Sequence, residues 1–131
     1  ISYSSTSLTL EKGTAMTTLT PTTSGGAITS WSVSPSLPAG LSLDFSTGAI
    51  SGTPTAVTSS ASYTITATNT GGSDTASVTI VVNDVIPSDL DYSPNSFTLT
   101  KGTQMTTVTP TANGGTITGW SVSPSLPAGL S

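Results

Sequence analysis

Few side chains in this sequence could do chemistry. It contains no histidine and no cysteine, two lysines and six acidic residues, with a net charge of −4. Without an imidazole or a thiol, Ser-His-Asp and Cys-His mechanisms lack their usual base or nucleophile. Lys12 and Lys101 each precede a Gly-Thr pair and are expected in loops rather than in a catalytic site. We therefore predict no catalytic residues and no enzymatic activity.

The carboxylates are also spread out along the chain. Glycosidase-type catalysis needs two of them in one cleft, whereas Asp44 is expected in a turn and Asp74 at the start of a strand. Asp84, Asp89 and Asp91 lie close together in a stretch similar to the acidic linkers between cadherin domains. Because Ca²⁺ takes about six to eight oxygen ligands, these three residues are the candidate calcium ligands. The alternative is a solvated acidic hinge, and no other metal or cofactor is expected.

One residue is a candidate for modification. The triplet Asp74-Thr75-Ala76 resembles the Asp-Thr-small sequence that is O-glycosylated at threonine in some secreted bacterial proteins. Thr75 is thus a candidate O-glycosylation site. The alternative is that Asp74 and Thr75 simply begin a strand.

The composition predicts strands to position these residues. The chain has 28 threonines and 24 serines, together 52 of its 131 residues. Threonine is β-branched and fits a pleated surface better than a helix. Thirteen glycines and nine prolines interrupt the chain, and no stretch has apolar residues at helical spacing. The prediction is an all-β protein.

Seven short strands separated by turn signals favour a β-sandwich. We predict them at residues 7–10, 16–20, 27–33, 41–43, 49–51, 61–67 and 75–82. Apolar residues alternate in the last two strands, which predicts one buried face on each. Residues 69–73 should form the hairpin loop between them, and residues 44–48 should join a smaller hairpin, because glycine supplies positive φ there.

The sequence repeats itself after 89 residues. Residues 2–42 align with residues 91–131 without a gap, and 30 of these 41 positions are identical. The twelve residues from Trp31 to Ser42 recur unchanged from Trp120 to Ser131. A period of this length matches an independently folding sandwich domain.

Three aromatic residues are expected in the core. Trp31 lies in an alternating strand with Val33, which favours a buried position over a sugar-stacking platform, and Trp120 is its equivalent. Tyr63 is expected to tie down a loop through its hydroxyl, as tyrosines do in sandwich domains. Tyr3, Tyr92, Phe45 and Phe97 then remain as the aromatics that a binding surface could use.

Four short motifs occur in order along the first repeat. They are Leu37-Pro-Ala-Gly-Leu41, Asp44-Phe-Ser-Thr-Gly48, Gly52-Thr-Pro54 and Tyr63-Thr-Ile-Thr-Ala-Thr-Asn69. This pattern resembles the bacterial "putative Ig" repeats over the first repeat and as much of the second as is present. The resemblance implies an immunoglobulin-like or cadherin-like sandwich that occurs in tandem in large surface proteins, adhesins and secreted enzymes. It implies no catalytic activity.

The expected organisation has three parts. Residues 1–84 form one complete immunoglobulin-like β-sandwich repeat, residues 85–90 form a linker, and residues 91–131 form the N-terminal half of a second repeat. Pro87 should stiffen the linker. We expect the half repeat to be one part of a longer array. The rival is strand exchange, in which residues 91–131 replace residues 2–42 of another chain.

These predictions favour a structural or adhesive repeat of an extracellular or cell-surface protein, acting as a stalk, spacer or filament-building unit. Its expected partners are neighbouring repeats, in a homo-polymer if chains exchange strands, together with a glycan or surface ligand. Two lysines form no basic surface for nucleic acid, and no apolar run is long enough for membrane insertion. The alternative is a carbohydrate-binding or accessory module of a secreted multidomain enzyme.

Overall fold

A computed structural model describes all residues from Ile1 to Ser131 and consists of ten β-strands without a helix. The all-β prediction is confirmed. The strands are β1 (Ser2–Tyr3), β2 (Ser7–Glu11), β3 (Pro21–Thr22), β4 (Ser30–Ser34), β5 (Leu41–Leu43), β6 (Ile50–Gly52), β7 (Thr58–Asn69), β8 (Gly72–Asn83), β9 (Pro87–Asp91) and β10 (Thr111–Gly114). The chain divides into two units, Ile1–Asp84 and Val85–Ser131.

A four-stranded sheet forms one layer of the first unit, in the order β2-β8-β7-β4. Strands β7 and β8 form a long antiparallel hairpin that pairs from Asn69 and Gly72 at the turn to Thr58 and Val82. β4 pairs antiparallel with β7, whereas β2 runs parallel to β8. The hairpin strands are longer than predicted because pairing continues through the flanking serines and threonines.

The second layer contains β1 paired with β3 and β5 paired with β6. The segment predicted as a strand at residues 16–20 runs beside β6, but it makes only one isolated bridge, between Leu19 and Ile50. The N–H groups of Met16 and Leu19 each donate a 2.9 Å hydrogen bond to β6, to the carbonyls of Gly52 and Ile50. These bonds are three residues apart on the segment and two apart on β6, so the two backbones do not stay in register as a regular ladder.

The core lies between these layers and follows the alternation of β7 and β8. Tyr63, Ile65 and Ala67 of β7 and Val78, Ile80 and Val82 of β8 are buried, as the pattern predicted. From the opposite layer they meet Tyr3, Leu19, Leu43 and Ile50. Full burial of one such aliphatic side chain contributes about 1.5–3 kcal/mol, so these contacts supply the main driving force for folding.

The hydroxyl side chains account for the other face of the same sheet. Residues between the buried ones point outward, and cross-strand neighbours there include Ser32 with Thr66 and Thr66 with Thr75. The serine- and threonine-rich composition therefore reflects alternation along the strands, with aliphatic residues inside and hydroxyl groups outside.

The second unit has one strand pair, β9 with β10, with an irregularity between Thr111 and Asn113. In this strand pair Asp91 lies opposite Thr111. In the first unit Ser2 lies opposite Thr22, and each of these residues is 89 positions before its counterpart. The predicted linker, residues 85–90, thus overlaps β9, which begins at Pro87. The backbone of Gly114 in β10 lies close to that of Ile86 because glycine has no side chain. A Cβ on Gly114 would lie 2.2 Å from the carbonyl oxygen of Ile86.

Candidate functional site

The three candidate calcium ligands fall in two different units of the chain. Asp84 belongs to the first unit, where its Oδ1 lies 4.0 Å from Nζ of Lys12. Asp89 and Asp91 belong to β9, and Asp89 accepts a 3.2 Å hydrogen bond from the side-chain amide of Asn113. No group of three or more acidic side chains with metal-binding spacing occurs anywhere in residues 1–131. Calcium binding at the linker stays a prediction.

The candidate modification site is accessible. Thr75 is exposed on β8, next to Thr66 of β7. The Asp74 carboxylate binds the terminal ammonium of Ile1 and accepts a 2.9 Å hydrogen bond from the Thr75 N–H. The contact with Ile1 is the larger cause that lowers the pKa of Asp74, and the hydrogen bond from Thr75 lowers it further. Thr75 thus lies on an exposed part of β8, three residues after the strand begins at Gly72.

Two of the aromatic residues, Trp120 and Tyr3, occupy positions other than those expected. Trp31 and Tyr63 are buried, but Trp120 is 58% exposed, so the expectation that it lies in a core does not hold. Tyr3, considered for a binding surface, is instead part of the core. Tyr3 donates a hydrogen bond to Gly48, and Trp31 lies opposite Ala67 of β7 and beneath Gly48, whereas Trp120 lies in no strand of the second unit.

The hairpin loop at Asp44–Gly48 is built on one carboxylate. Oδ1 of Asp44 accepts hydrogen bonds from the Ser46 N–H at 2.8 Å, the Ser46 hydroxyl at 2.6 Å and the Thr47 N–H at 3.1 Å. The bond from the Ser46 hydroxyl, followed by the two backbone bonds, lowers the pKa of Asp44 to about 2. Gly48 closes the loop with a 2.8 Å hydrogen bond to the Asp44 carbonyl. Asp44 is therefore a turn-forming residue.

The same loop covers the tryptophan. A Cβ on Gly48 would lie 2.6 Å from the Trp31 ring, so the glycine backbone packs directly on the indole. The Gly48 carbonyl accepts a 2.6 Å hydrogen bond from the Tyr3 hydroxyl. Tyr3 thus makes the loop contact that the sequence analysis assigned to Tyr63, and its burial raises its pKa to about 12.

Two family motifs meet through their glycines. Gly40 of the Leu-Pro-Ala-Gly-Leu motif has φ +89° and its Cβ position is 2.0 Å from the Thr53 carbonyl oxygen. Gly52 of the Gly-Thr-Pro motif has φ +132° and its Cβ position is 2.1 Å from the Gly40 carbonyl oxygen. The Thr53 N–H also donates to the Gly40 carbonyl, at 3.1 Å. Only glycine permits this approach at both positions, and the motifs are therefore structural.

Both motifs were recognisable in the sequence, but the contact between them was not predicted. The available signal was a glycine in each motif, two residues from a proline: Pro38 precedes Gly40 and Pro54 follows Gly52. The two lysines provide no additional site: Lys12 makes the surface contact with Asp84, and Lys101 lies in an exposed turn.

The first unit is thus an immunoglobulin-like β-sandwich whose distinctive residues close turns and fill a core. Residues 1–83 match the family described as "Putative Ig domain", and the chain belongs to that family. Ig-like domain families are generally non-enzymatic.

No curated protein matches the chain. Among solved structures, a chimeric titin Z1Z2 functionalized with a KLER exogenous peptide from decorin is similar, with a TM-score of 0.45 and 21% sequence identity. The similarity covers 62% of this chain and 91% of that one. The structure contains no helical segment with the length and apolar character of a membrane span.

Proposed function

We propose that this chain is a structural or adhesive module of an extracellular or cell-surface protein, serving as a stalk, spacer or filament-building unit. The observation that carries the proposal is the internal repeat, in which 30 of 41 aligned positions are identical. A spacer needs many interchangeable units, whereas a binding protein needs one specialised pocket. The proposal assigns the chain no cofactor.

The positions that recur support this role. Tyr3, Gly13, Trp31 and Gly40 recur as Tyr92, Gly102, Trp120 and Gly129. In the first unit these residues fill the core or hold turns with positive φ. What is repeated is therefore the means of building a sandwich.

The surface supports an extracellular location and neighbouring repeats as partners. Outward positions of the large sheet carry mostly hydroxyl groups, and only 6% of the residues are charged. The fold also needs no disulfide, because the chain has no cysteine. Two lysines and a net charge of −4 argue against nucleic acid as a partner.

Electron microscopy of the natural protein that carries this sequence tests the proposal. The 12-residue strands of the first unit imply a domain about 40 Å long, at about 3.3 Å per residue. We expect elongated particles with beads of this length in a row. A compact globule would contradict the role of spacer.

A carbohydrate-binding accessory module is the second candidate, and one side chain favours it. Phe45 is 68% exposed at the tip of the loop that Asp44 rigidifies. An exposed aromatic ring held by a rigid loop could stack on a sugar. Glycan-array binding by the full chain that is lost in Phe45→Ala, but kept in the matched variant Val57→Ala, would favour this candidate over the spacer.

A further inference from the structure

One asparagine of the chain is followed directly by a glycine. Asn113 precedes Gly114, whereas the other three asparagines are followed by Thr70, Asp84 and Ser96. The nitrogen of the following residue can attack an asparagine side chain, and a Cβ on that residue crowds the approach. Glycine has no Cβ and leaves its nitrogen open. Asn113 is therefore the asparagine whose side chain is best placed, by sequence, to react with the backbone.

The structure places this pair at the surface. Asn113 and Gly114 end β10, and all four residues of that strand are exposed. The corresponding residues of the first unit, 89 positions earlier, are Ser24 and Gly25, and both are exposed as well. The two repeats thus present this position to water in the same way, but only the second has an asparagine there.

The Asn113 side chain makes a contact that depends on its amide group. Its Nδ2 donates a 3.2 Å hydrogen bond to Oδ2 of Asp89 in β9. A carboxylate only accepts hydrogen bonds, so this bond requires an N–H donor at position 113. Next to it, Asn113 pairs with Ser88, and Gly114 pairs with Pro87. The amide therefore joins β9 to β10 through side chains in addition to the backbone pairing.

We propose that Asn113 modifies itself: it deamidates through attack by the Gly114 nitrogen and thereby loosens the pairing of β9 with β10. Hydroxide assists by removing the proton of the Gly114 N–H. The nitrogen forms a bond to Cγ of Asn113, the Cγ–Nδ2 bond breaks, and Nδ2 takes up a proton and leaves as ammonia. The product is a five-membered succinimide ring, and the chain is not cut.

Water then opens the succinimide ring in one of two ways. Addition at Cγ gives aspartate, and addition at the backbone carbonyl gives isoaspartate, in which the main chain runs through Cγ. In both products an oxygen from water replaces the side-chain nitrogen. The conversion therefore consumes water and releases ammonia, and it needs neither an oxidant nor an enzyme.

Both products bring like charges together. Residue 113 then carries a carboxylate where its amide donated to Asp89, and two carboxylates repel each other without a donor between them. The isoaspartate form also adds one carbon to the main chain of β10, which disturbs its register with β9. Each product weakens the strand pair. The first unit has Ser24 at this position and does not change, and the inference does not depend on the spacer role proposed above.

Peptide mapping of the full chain tests the reaction. The chain is incubated at neutral and mildly alkaline pH until a synthetic peptide of residues 109–118 has lost its amide. The segment with Asn113 should gain one mass unit and separate into aspartate and isoaspartate forms, faster at the higher pH, while Asn69, Asn83 and Asn95 stay intact. Retention of the Asn113 amide in the chain would show that the fold blocks the attack and would overturn the proposal.

Variants connect the reaction to its structural effect. Asn113→Ser, which introduces the residue found at position 24, should release no ammonia from this site. Backbone hydrogen exchange in β9 and β10 should be about threefold or more faster in the converted chain and in Asn113→Asp than in the unmodified chain. Asn113→Ser should lie in between, because serine removes the bond without adding a charge. The β7–β8 hairpin is the internal reference, and exchange in Asn113→Asp equal to that of the unmodified chain would overturn the proposal.

Discussion

The hydroxyl of Tyr3 donates a 2.6 Å hydrogen bond to the carbonyl of Gly48, joining residues that are 45 positions apart. The bond fastens β1 to the hairpin loop that covers Trp31. An N-terminal strand of only two residues would otherwise be held by few backbone hydrogen bonds. This one side chain therefore couples the start of the sandwich to the center of its core.

Tyr3→Phe should destabilise the first unit by about 1–2 kcal/mol, because it leaves the buried Gly48 carbonyl without its partner. Urea denaturation followed by circular dichroism measures this change. Tyr92→Phe is the matched control, since Tyr92 is the equivalent residue and is 41% exposed. Equal effects of the two substitutions would show that the Tyr3–Gly48 bond contributes nothing.

The alkaline limit of stability should also depend on Tyr3. Its pKa is about 12 in the folded state against an ordinary 10.0, because burial disfavours the phenolate. The resulting stabilisation is fully present below pH 10 and is lost as pH rises through 12. Denaturation curves between pH 9 and 12 should show a loss that Tyr3→Phe removes. An unchanged pH dependence in that variant would contradict this assignment.

Asp44 should make the stability of the first unit depend on pH in the acid range. Hydrogen bonds from Ser46 and Thr47 lower its pKa from 3.8 to about 2. A lowered pKa contributes stability above 3.8 that is lost as pH falls through 2. Asp44→Ala should therefore be less stable than the unmodified chain at pH 6, with the difference shrinking towards pH 2. The contribution is small because this carboxylate is exposed, and a difference that is constant with pH would exclude the charge as its origin.

Trp31→Ala should cost about 3–5 kcal/mol, because it removes the largest side chain of the core and leaves a cavity beneath Gly48. Trp120→Ala should leave the stability of the first unit unchanged. Thermal unfolding of the two variants compares the same substitution at the first position of two identical twelve-residue segments. Similar losses in both would place Trp120 in a core.

The close contact between the backbones of the two family motifs should make substitution of Gly40 costly. Gly40→Ala places a methyl group 2.0 Å from the Thr53 carbonyl oxygen and should cost about 3 kcal/mol or more. Gly13→Ala is the control for positive φ alone, since Gly13 has φ +83° and open space around it. That variant should lose about 1–2 kcal/mol. Equal losses would mean that φ, and not the contact with Thr53, requires glycine at position 40.

Alternation and turn chemistry were sufficient to predict the β7–β8 hairpin and the faces that it buries. The identical segments that begin at Trp31 and Trp120 show the limit of this reasoning. The first contains most of β4 and all but the end of β5, whereas the second forms no strand. Strand formation there depends on a distant partner, and local sequence cannot supply that information.

The candidate site shows the same limit in its individual residues. Asp44 could be placed in a turn because its hydrogen bonds are local. The burial of Tyr3 and the approach of Gly40 to Gly52 depend on which strands become neighbours. The grouping of Asp84, Asp89 and Asp91 was inferred from proximity in sequence, and the structure assigns them to two different units.

The parallel pairing of β2 with β8 determines how the first unit responds to tension. β2 is near the N-terminal end of the unit and β8 is at its C-terminal end, and five residue pairs join them from Ser7–Thr79 to Glu11–Asn83. Pulling the two ends of the unit apart draws these strands past each other along their length. All the hydrogen bonds between them are then loaded together, whereas an antiparallel pair pulled from one end opens one bond at a time. The unit is therefore built to resist extension in shear.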